Sequence, residues 1–199
     1  MKRKLLLFVL LFFSFIQIAT SATGVSKEII IERIKKFLKS ATSFKGDFIL
    51  TTNGNVERGI FFYKSPNRFK MVFNPELKPD KQKTIVSNGK NLWVYIPHMK
   101  VVIDQDITSA SENLAFSDAG LGIQRLIKKF KYDFYNNDNS LKNDQSINQS
   151  VRILRLSEPT TFSSFKEILL YITENGFIVK SKATTNDNKV IELIRTNYK

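Results

Sequence analysis

Side chains that could carry out chemistry are scarce in this sequence. It has one histidine, His98, and no cysteine, so it lacks the residues of the usual zinc sites and of a cysteine nucleophile. His98 follows Pro97 in a turn signal, and neither a nucleophile-elbow motif nor a phosphate-binding glycine loop accompanies it. Serine–lysine and paired-carboxylate catalysis stay open, although no spacing points to either. We therefore expect a binding protein rather than an enzyme, with no metal and no cofactor.

Large apolar side chains are the chemistry that this sequence does offer. Phe69, Met71 and Phe73 occupy alternate positions, and Arg68 and Lys70 stand beside them. Successive side chains of a strand point to opposite faces, so one face is apolar and the other mostly basic. An apolar wall suits acyl chains, which are held by buried area at roughly 25 cal/mol per Å². An ordinary packed α+β core would use the same residues, and periodicity does not separate the two.

The N-terminal residues have the three parts of a secretory signal peptide. A basic start at residues 2–4 precedes an apolar run at residues 5–18, and small residues follow. We predict a signal peptide over residues 1–22, which leaves residues 23–199 as a single exported domain. An uncleaved anchor is the alternative, but the apolar run is shorter than the roughly 20 residues that span a bilayer.

Cysteine content and net charge limit the kinds of molecule that this protein is expected to bind. Without cysteine the exported domain has no disulfides and no residue to receive a lipoprotein's lipid, so its fold rests on core burial. The formal net charge is +13, which suits nucleic acid, anionic membrane or acidic protein. Export, and the lack of any readable nucleic-acid module, argue against nucleic acid. The dispersed basic residues are then either plain solvated surface or a means of contacting acidic proteins or lipid headgroups.

One helix and a series of short strands are predicted in the exported domain. Ser26 suits an N-cap and Glu28 the first turn, and apolar residues recur at helical spacing up to Ala41. Strands with turn signals between them are predicted at 44–51, 56–64, 68–74, 84–87, 91–96, 100–104, 151–156, 165–173, 177–184 and 189–196. Residues 132–135 are a weaker strand candidate, and residues 136–150 are predicted as a flexible loop. Short connections favour sequential antiparallel neighbours.

The middle of the chain lacks strand alternation and is predicted as two short helices, residues 108–116 and 121–130. The whole pattern indicates an α+β fold: a strongly curved antiparallel sheet, an open and incomplete β-barrel, with a helical lid over its concave apolar face. Gly120 and Gly122 are predicted hinges of that lid. The predicted lid residues are Leu121, Leu126 and Ile127.

Alternate residues of the predicted strands would form the wall of an acyl-binding cavity. We assign to this wall Phe48, Leu50, Phe62, Phe69, Met71, Phe73, Leu92, Val94, Val101 and Ile103. Phe62 would point outward instead if Phe61 and Tyr63 were the inner pair.

Part of this sequence resembles the LolA-type carriers, which move lipoproteins across the bacterial periplasm. In that family a strand runs into a proline turn and then into a strand with an aromatic residue, as at Pro66 and Phe69 here. The family's Val-Ser-Asp-Gly-x-x-Leu-Trp-x-Tyr-x-Pro segment is matched by residues 86–97, with Asn88 in place of aspartate in a turn that either residue serves. The specific likeness covers residues 44–103, and the C-terminal half matches in element order.

The resemblance implies a periplasmic carrier that binds the acyl chains of lipoproteins. It would accept acylated lipoproteins from an ATP-driven release complex in the inner membrane and deliver them toward the outer membrane, acting as a monomer. No outer-membrane acceptor is indicated. The missing cysteine favours this shuttle over the family's receptor, which is itself a lipoprotein.

The latch of the lid and the cargo are the two points on which the resemblance does not decide. Family members latch the lid with an arginine directly before the turn proline, whereas Ser65 stands there in this chain. A periplasmic sensor or adaptor of the same fold, binding envelope proteins rather than lipid, is the alternative, and an unrelated structural envelope protein is a third interpretation.

Overall fold

The computed structural model describes residues 25–65, 68–106, 126–160 and 163–199. Helix α1 spans Lys27–Ser40. The first six strands are β1 (Ser43–Thr52), β2 (Asn55–Lys64), β3 (Arg68–Phe73), β4 (Thr84–Ser87), β5 (Asn91–Ile96) and β6 (Val101–Asp106). The later six are β7 (Phe130–Phe134), β8 (Lys142–Asp144), β9 (Gln149–Pro159), β10 (Phe165–Ile172), β11 (Ile178–Thr185) and β12 (Val190–Thr196).

Helix α1 begins and ends as its sequence predicts. The Ser26 side chain accepts a hydrogen bond from the backbone N–H of Ile29, at 3.4 Å, and so caps the first turn. Its apolar stripe is buried against the sheet, and the Phe37 ring lies 5.9 Å from that of Phe44 and 5.2 Å from that of Phe177. The buried residues of the helix are Ile30, Ile31, Ile34 and Leu38. The predicted amphipathic helix is therefore confirmed.

The strands form one antiparallel sheet that does not close. Its order is β6-β5-β4-β3-β2-β1-β12-β11-β10-β9-β7, with β8 paired to the start of β9. Most neighbours are consecutive in sequence, whereas β1 and β12 join the two halves of the chain. Among the described strands, β6 and β7 end the sheet without pairing to each other. The open antiparallel sheet is confirmed.

The predicted helix at residues 121–130 differs from the structure at its C-terminal end. Residues 126–129 are helical, but Phe130 already pairs with Pro159 as the first residue of β7. Phe130 and Phe134 are both buried on this strand, so pairing with β9 overrides the local helical pattern. Residues 107–125, and with them the helix predicted at 108–116, lie outside the described residues.

The predicted loop at residues 136–150 contains a strand. β8 pairs with β9 from Lys142 opposite Val151 to Asp144 opposite Gln149. Asn136 and Asn137 reach it through left-handed backbone angles, at φ 55° and 54°, which asparagine adopts more readily than most residues. The Asn- and Asp-rich composition signals those turns but hides the short strand between them.

Candidate functional site: the inner face of the sheet

The inner face is the side of the sheet on which α1 packs. Directly paired residues of neighbouring strands share a face, so the register defines this side across the sheet. Phe44 pairs with Tyr63, and Tyr63 with Phe69. The next row of the same face carries Gly46 opposite Phe61, and the row after it carries Phe48 opposite Gly59. These pairs bring aromatic side chains of β1, β2 and β3 together beneath the helix.

Most of the predicted wall residues lie on this face. Phe48, Phe69, Met71, Phe73 and Leu92 are almost fully buried there. Phe48 and Phe73 make an edge-to-face ring contact, with centroids 4.9 Å apart, an arrangement favoured by aromatic quadrupoles. The half-buried members on the same face are Leu50 and Val94.

The inner face becomes exposed at its open edge. Val101 and Ile103 of β6 pair with Ile96 and Val94 and so lie on the inner face. They are nevertheless 38% and 39% exposed. The wall therefore runs without a break from a closed apolar core to an apolar surface that is open to solvent.

Phe62 does not lie on the inner face of the sheet. It pairs with Lys45 and Lys70, which places it on the opposite, outer face, and it is 40% exposed. Phe61 and Tyr63 form the inner pair on β2 and are buried. This part of the strand is apolar on both faces, so alternation alone does not show which of its residues face inward. The assignment of Phe62 is corrected accordingly.

A small cavity of about 10 Å³ lies inside this wall. Such a volume holds about one water molecule, so an acyl chain enters only if wall side chains move apart. Phe62 also borders the cavity, yet its register and exposure keep it assigned to the outer face. The lining residues are Phe48, Phe61, Phe62, Phe69, Met71, Leu193 and Arg195.

Arg195 is a wall residue that the sequence analysis did not identify. It pairs with Phe48 on the inner face and is only 6% exposed. Its guanidinium donates to the carbonyl oxygen of Ile178, at 3.2 Å, which offsets part of the cost of burying a charge. Arg195 follows Ile191 and Leu193 at alternate positions of β12, and this spacing could have indicated that it faces inward.

Two of the residues that the sequence predicts for a lid are described, and both pack against the core. Leu126 is 2% exposed and Ile127 packs, partly buried, against the same apolar cluster. Leu121, Gly120 and Gly122 lie outside the described residues. Ser65 follows β2, and its backbone N–H donates to the carbonyl oxygen of Thr42, at 2.9 Å.

A second, larger depression of about 580 Å³ lies between β7 and the start of α1. Four of its charged groups form two ion pairs: Lys27 lies 3.0 Å from Asp133, and Lys131 lies 2.6 Å from Glu158. The hydrogen bond from Lys27 lowers the pKa of Asp133 below its usual range. These exposed, ion-paired groups do not resemble an acyl site.

Reactive groups do not converge anywhere in the part of the chain that is described. His98 is exposed on a short turn at Pro97–Met99. The described residues contain no group of three or more acidic or histidine side chains placed to hold a metal ion. Within residues 25–65, 68–106, 126–160 and 163–199, no helix is both long and apolar enough to cross a bilayer.

Comparison with known proteins places this geometry beside lipoprotein carriers. The sequence model of the family described as "Outer membrane lipoprotein carrier protein LolA" matches residues 39–198. An outer-membrane lipoprotein carrier protein of Proteus mirabilis (strain HI4320) is 25% identical over 170 residues, which cover 83% of this chain and 76% of that protein.

Two solved structures share the fold at low sequence identity. An uncharacterized conserved protein from Thermus thermophilus gives a TM-score of 0.55 at 12% identity, covering 86% of this chain and 85% of that one. The MucA/MucB complex of Pseudomonas aeruginosa gives 0.51 at 11% identity, covering 85% of this chain and 55% of that one.

Proposed function

The chain belongs to the family of outer membrane lipoprotein carrier proteins, LolA, and we propose that it is a periplasmic carrier that binds the acyl chains of lipoproteins. The observation that carries this proposal is the continuity of the inner face. Buried Leu92 and half-buried Val94 lead directly to exposed Val101 and Ile103 at the open edge. An acyl chain that docks on the exposed part can advance along apolar surface throughout.

Binding would exchange apolar contacts rather than create polar ones. The small volume of the cavity means that the wall is filled by its own side chains in the unloaded protein. An acyl chain that displaces Leu126 or Ile127 replaces apolar contact with apolar contact, so opening has a small net cost. Buried area would then favour loading, whereas a purely polar ligand would gain nothing from this wall.

The same proposal sets the direction of transport. Acylated lipoproteins would come from an ATP-driven release complex in the inner membrane and go toward the outer membrane, with the protein acting as a monomer and not as an enzyme. The basic, apolar and small-residue segments of residues 1–22, in the order typical of a signal peptide, support a periplasmic location.

A matched pair of variants on β6 tests acyl binding. Val101 and Val102 are adjacent, but Val101 lies on the inner face and Val102 on the outer face. We expect Val101→Asp to weaken binding of a synthetic triacylated peptide at least about tenfold, because it places a charge on the acyl path. Val102→Asp, with the same chemical change at a more exposed site, should leave binding unchanged. Equal affinities for the two folded variants would reject the proposal.

A same-fold sensor or adaptor that binds envelope proteins is the second candidate. It is supported by the fold likeness to the MucA/MucB complex. Native mass spectrometry of the protein from its own periplasm separates the two functions. Co-purified acylated protein supports the carrier, whereas a lipid-free complex with a signalling protein supports the sensor.

A further inference from the structure

The outer face of β2 and β4–β6 carries an apolar surface that the described chain leaves partly exposed. We call it the outer aromatic surface. Phe62 and Val102 are 40% and 60% exposed, and the other members are half-buried. Val86 pairs with Trp93 and Tyr95 pairs with Val102, so these four residues are neighbours on one face. Phe62 lies on the same face, and Lys70 on β3 separates it from Val86. The surface comprises Phe62, Val86, Trp93, Tyr95 and Val102.

Strand β5 has the composition of a strand buried on both faces. Its sequence, NLWVYI, is apolar at almost every position, which is typical of strands covered on both sides. Leu92 is buried on the inner face, but Trp93 and Tyr95 on the outer face are only partly covered. The outer face of the other half differs: there Lys180 is 8% exposed and bonds Ser146 of the turn after β8.

Basic residues crowd one end of the outer aromatic surface. Phe62 lies between Lys45 and Lys70 in its row, and Lys64 pairs with Arg68 in the next row. All four cations are exposed. Within the described residues, none of them has an acidic partner within ion-pair distance.

The acidic residues on this face do not neutralise that end. The Asp47 carboxylate accepts a hydrogen bond from the side-chain amide of Asn197, at 2.8 Å. The Asp104 carboxylate accepts one from Asn91, at 3.2 Å. Like charges on paired strands repel each other, so an anionic partner would relieve an unfavourable arrangement that the chain leaves uncompensated.

We propose that the outer aromatic surface docks on a membrane that contains anionic phospholipid. Trp and Tyr combine an apolar ring with a polar N–H or O–H group, which is why they are enriched at membrane interfaces. Lysine and arginine bury their stems while their charges reach phosphates. The surface lies on the open faces of strands, as a broad contact with a bilayer requires. This inference goes beyond cargo binding and does not depend on it.

Trp93 reports on this contact without a label, because it is the single tryptophan in the sequence. The mature protein is titrated with phosphatidylcholine vesicles and with vesicles that also contain phosphatidylglycerol. We expect a blue shift of Trp93 emission, and quenching by brominated lipid, with the anionic vesicles only. High salt should reverse both, since it shortens the screening length to about 3 Å at 1 M. An unmoved Trp93 spectrum would overturn the proposal.

A charge-reversed variant tests the role of the basic end. We expect Arg68→Glu/Lys70→Glu to weaken vesicle binding at least about tenfold, from the attraction that each basic residue near an anionic surface contributes. Lys36→Glu/Lys39→Glu, at exposed positions of α1, makes the same change in net charge and should retain binding. Equal losses in the two variants would show a net-charge effect and overturn the proposal.

Two further measurements distinguish membrane binding from binding of an acidic protein and from the carrier function. A blue shift with poly-L-glutamate, in place of vesicles, would overturn the proposal in favour of an acidic protein partner. Binding of the triacylated peptide should be unchanged in Arg68→Glu/Lys70→Glu, because these residues lie on the outer face. If the peptide does not bind wild-type protein while vesicles still shift the emission of Trp93, the carrier function is rejected and the membrane contact is supported.

Discussion

Glycine faces an aromatic ring at two neighbouring places on the inner face. Gly59 pairs with Phe48, and Gly46 pairs with Phe61. A Cβ atom at Gly59 would lie 2.5 Å from the Phe48 ring and would also clash with the carbonyl oxygen of Val72. Each glycine therefore makes room for a ring that crosses from the opposite strand, and the two pairs fix the register of β1 on β2.

Gly59→Ala is expected to lower the free energy of unfolding by about 2 kcal/mol, because the added methyl group overpacks the core. Urea unfolding followed by circular dichroism measures the change. In a Phe48→Leu background the same substitution should cost less, because the crossing ring is gone. Equal costs in the two backgrounds would contradict the role assigned to the ring.

Predictions for single residues succeed where the sequence shows which alternate residues of a strand face inward. On β3, Phe69 and Met71 alternate with basic residues, so the inner face was predictable from the sequence. On β2, Phe61, Phe62 and Tyr63 are consecutive, and alternation gave no reason to choose one set. Only the pairing of Phe62 with Lys45 and Lys70 resolves that choice. Arg195 was missed for another reason: a charged residue is not expected in an apolar wall.

At the scale of elements, β8 and its turn are anchored to the outer face through Lys180. The Lys180 ammonium lies 3.6 Å from Asp144 and 3.5 Å from Glu192. Burial raises the pKa of Asp144, but hydrogen bonds from Ser146 and the charge of Lys180 outweigh it. The pKa of Asp144 is therefore lowered from its usual value of 3.8.

This lowered pKa predicts an acid-sensitive contribution to stability. A carboxyl group with a lower pKa in the folded state stabilises the fold above its unfolded pKa and loses that effect as the pH falls through the folded pKa. Wild-type protein should therefore be more stable than Asp144→Asn at pH 6, and the difference should shrink toward pH 3. Urea midpoints at the two pH values measure it. A difference that does not change with pH would contradict the ion pair's contribution.

Elements with strong local signals were predictable, and elements that depend on partners elsewhere in the chain were not. The cap and stripe of α1 and the turns around β4 and β5 are local, and the structure places these elements at the predicted positions. β8 is short and polar, and it exists because β9, beyond the next turn, supplies its hydrogen bonds. The start of β7 at Phe130 likewise depends on Pro159.

The junction before β7 offers a test of the proposed lid. Leu126 is buried in the helical stretch that leads into this strand. Leu126→Asp should weaken binding of the triacylated peptide, because it puts a charge among apolar contacts. Leu141→Asp makes the same change at a 41% exposed leucine and should not. Unchanged affinity in a folded Leu126→Asp protein would reject the lid role of this residue.

At the scale of the whole molecule, the proposed carrier function requires a lid that closes the concave side of the open sheet. Ser65 stands where the resembling carriers have a latching arginine, so we expect apolar contact to hold the proposed lid. Ser65→Arg should favour a latched, cargo-free state and weaken acyl-peptide binding about tenfold, in line with a hydrogen bond to a charged group.

Ser65→Lys is the control, because lysine adds the charge without the planar fork of donors that suits carbonyl oxygens. Isothermal titration with the triacylated peptide compares the three proteins. If Ser65→Arg binds the peptide as tightly as wild type, a side chain at this position does not affect closure of the lid.

The seam between β1 and β12 has a consequence for how the chain reaches its folded state. Each half of the sheet is built largely from adjacent hairpins, which form early because little chain entropy is lost in closing them. The seam joins Asp47 to Thr196 and Thr52 to Ile191, so it forms only when the last strand, β12, is available to pair. Until then β1 presents an unpaired edge, which is a template for aggregation. A chain cut before Val190 would leave that edge open permanently and would aggregate rather than fold into a smaller version of the same protein.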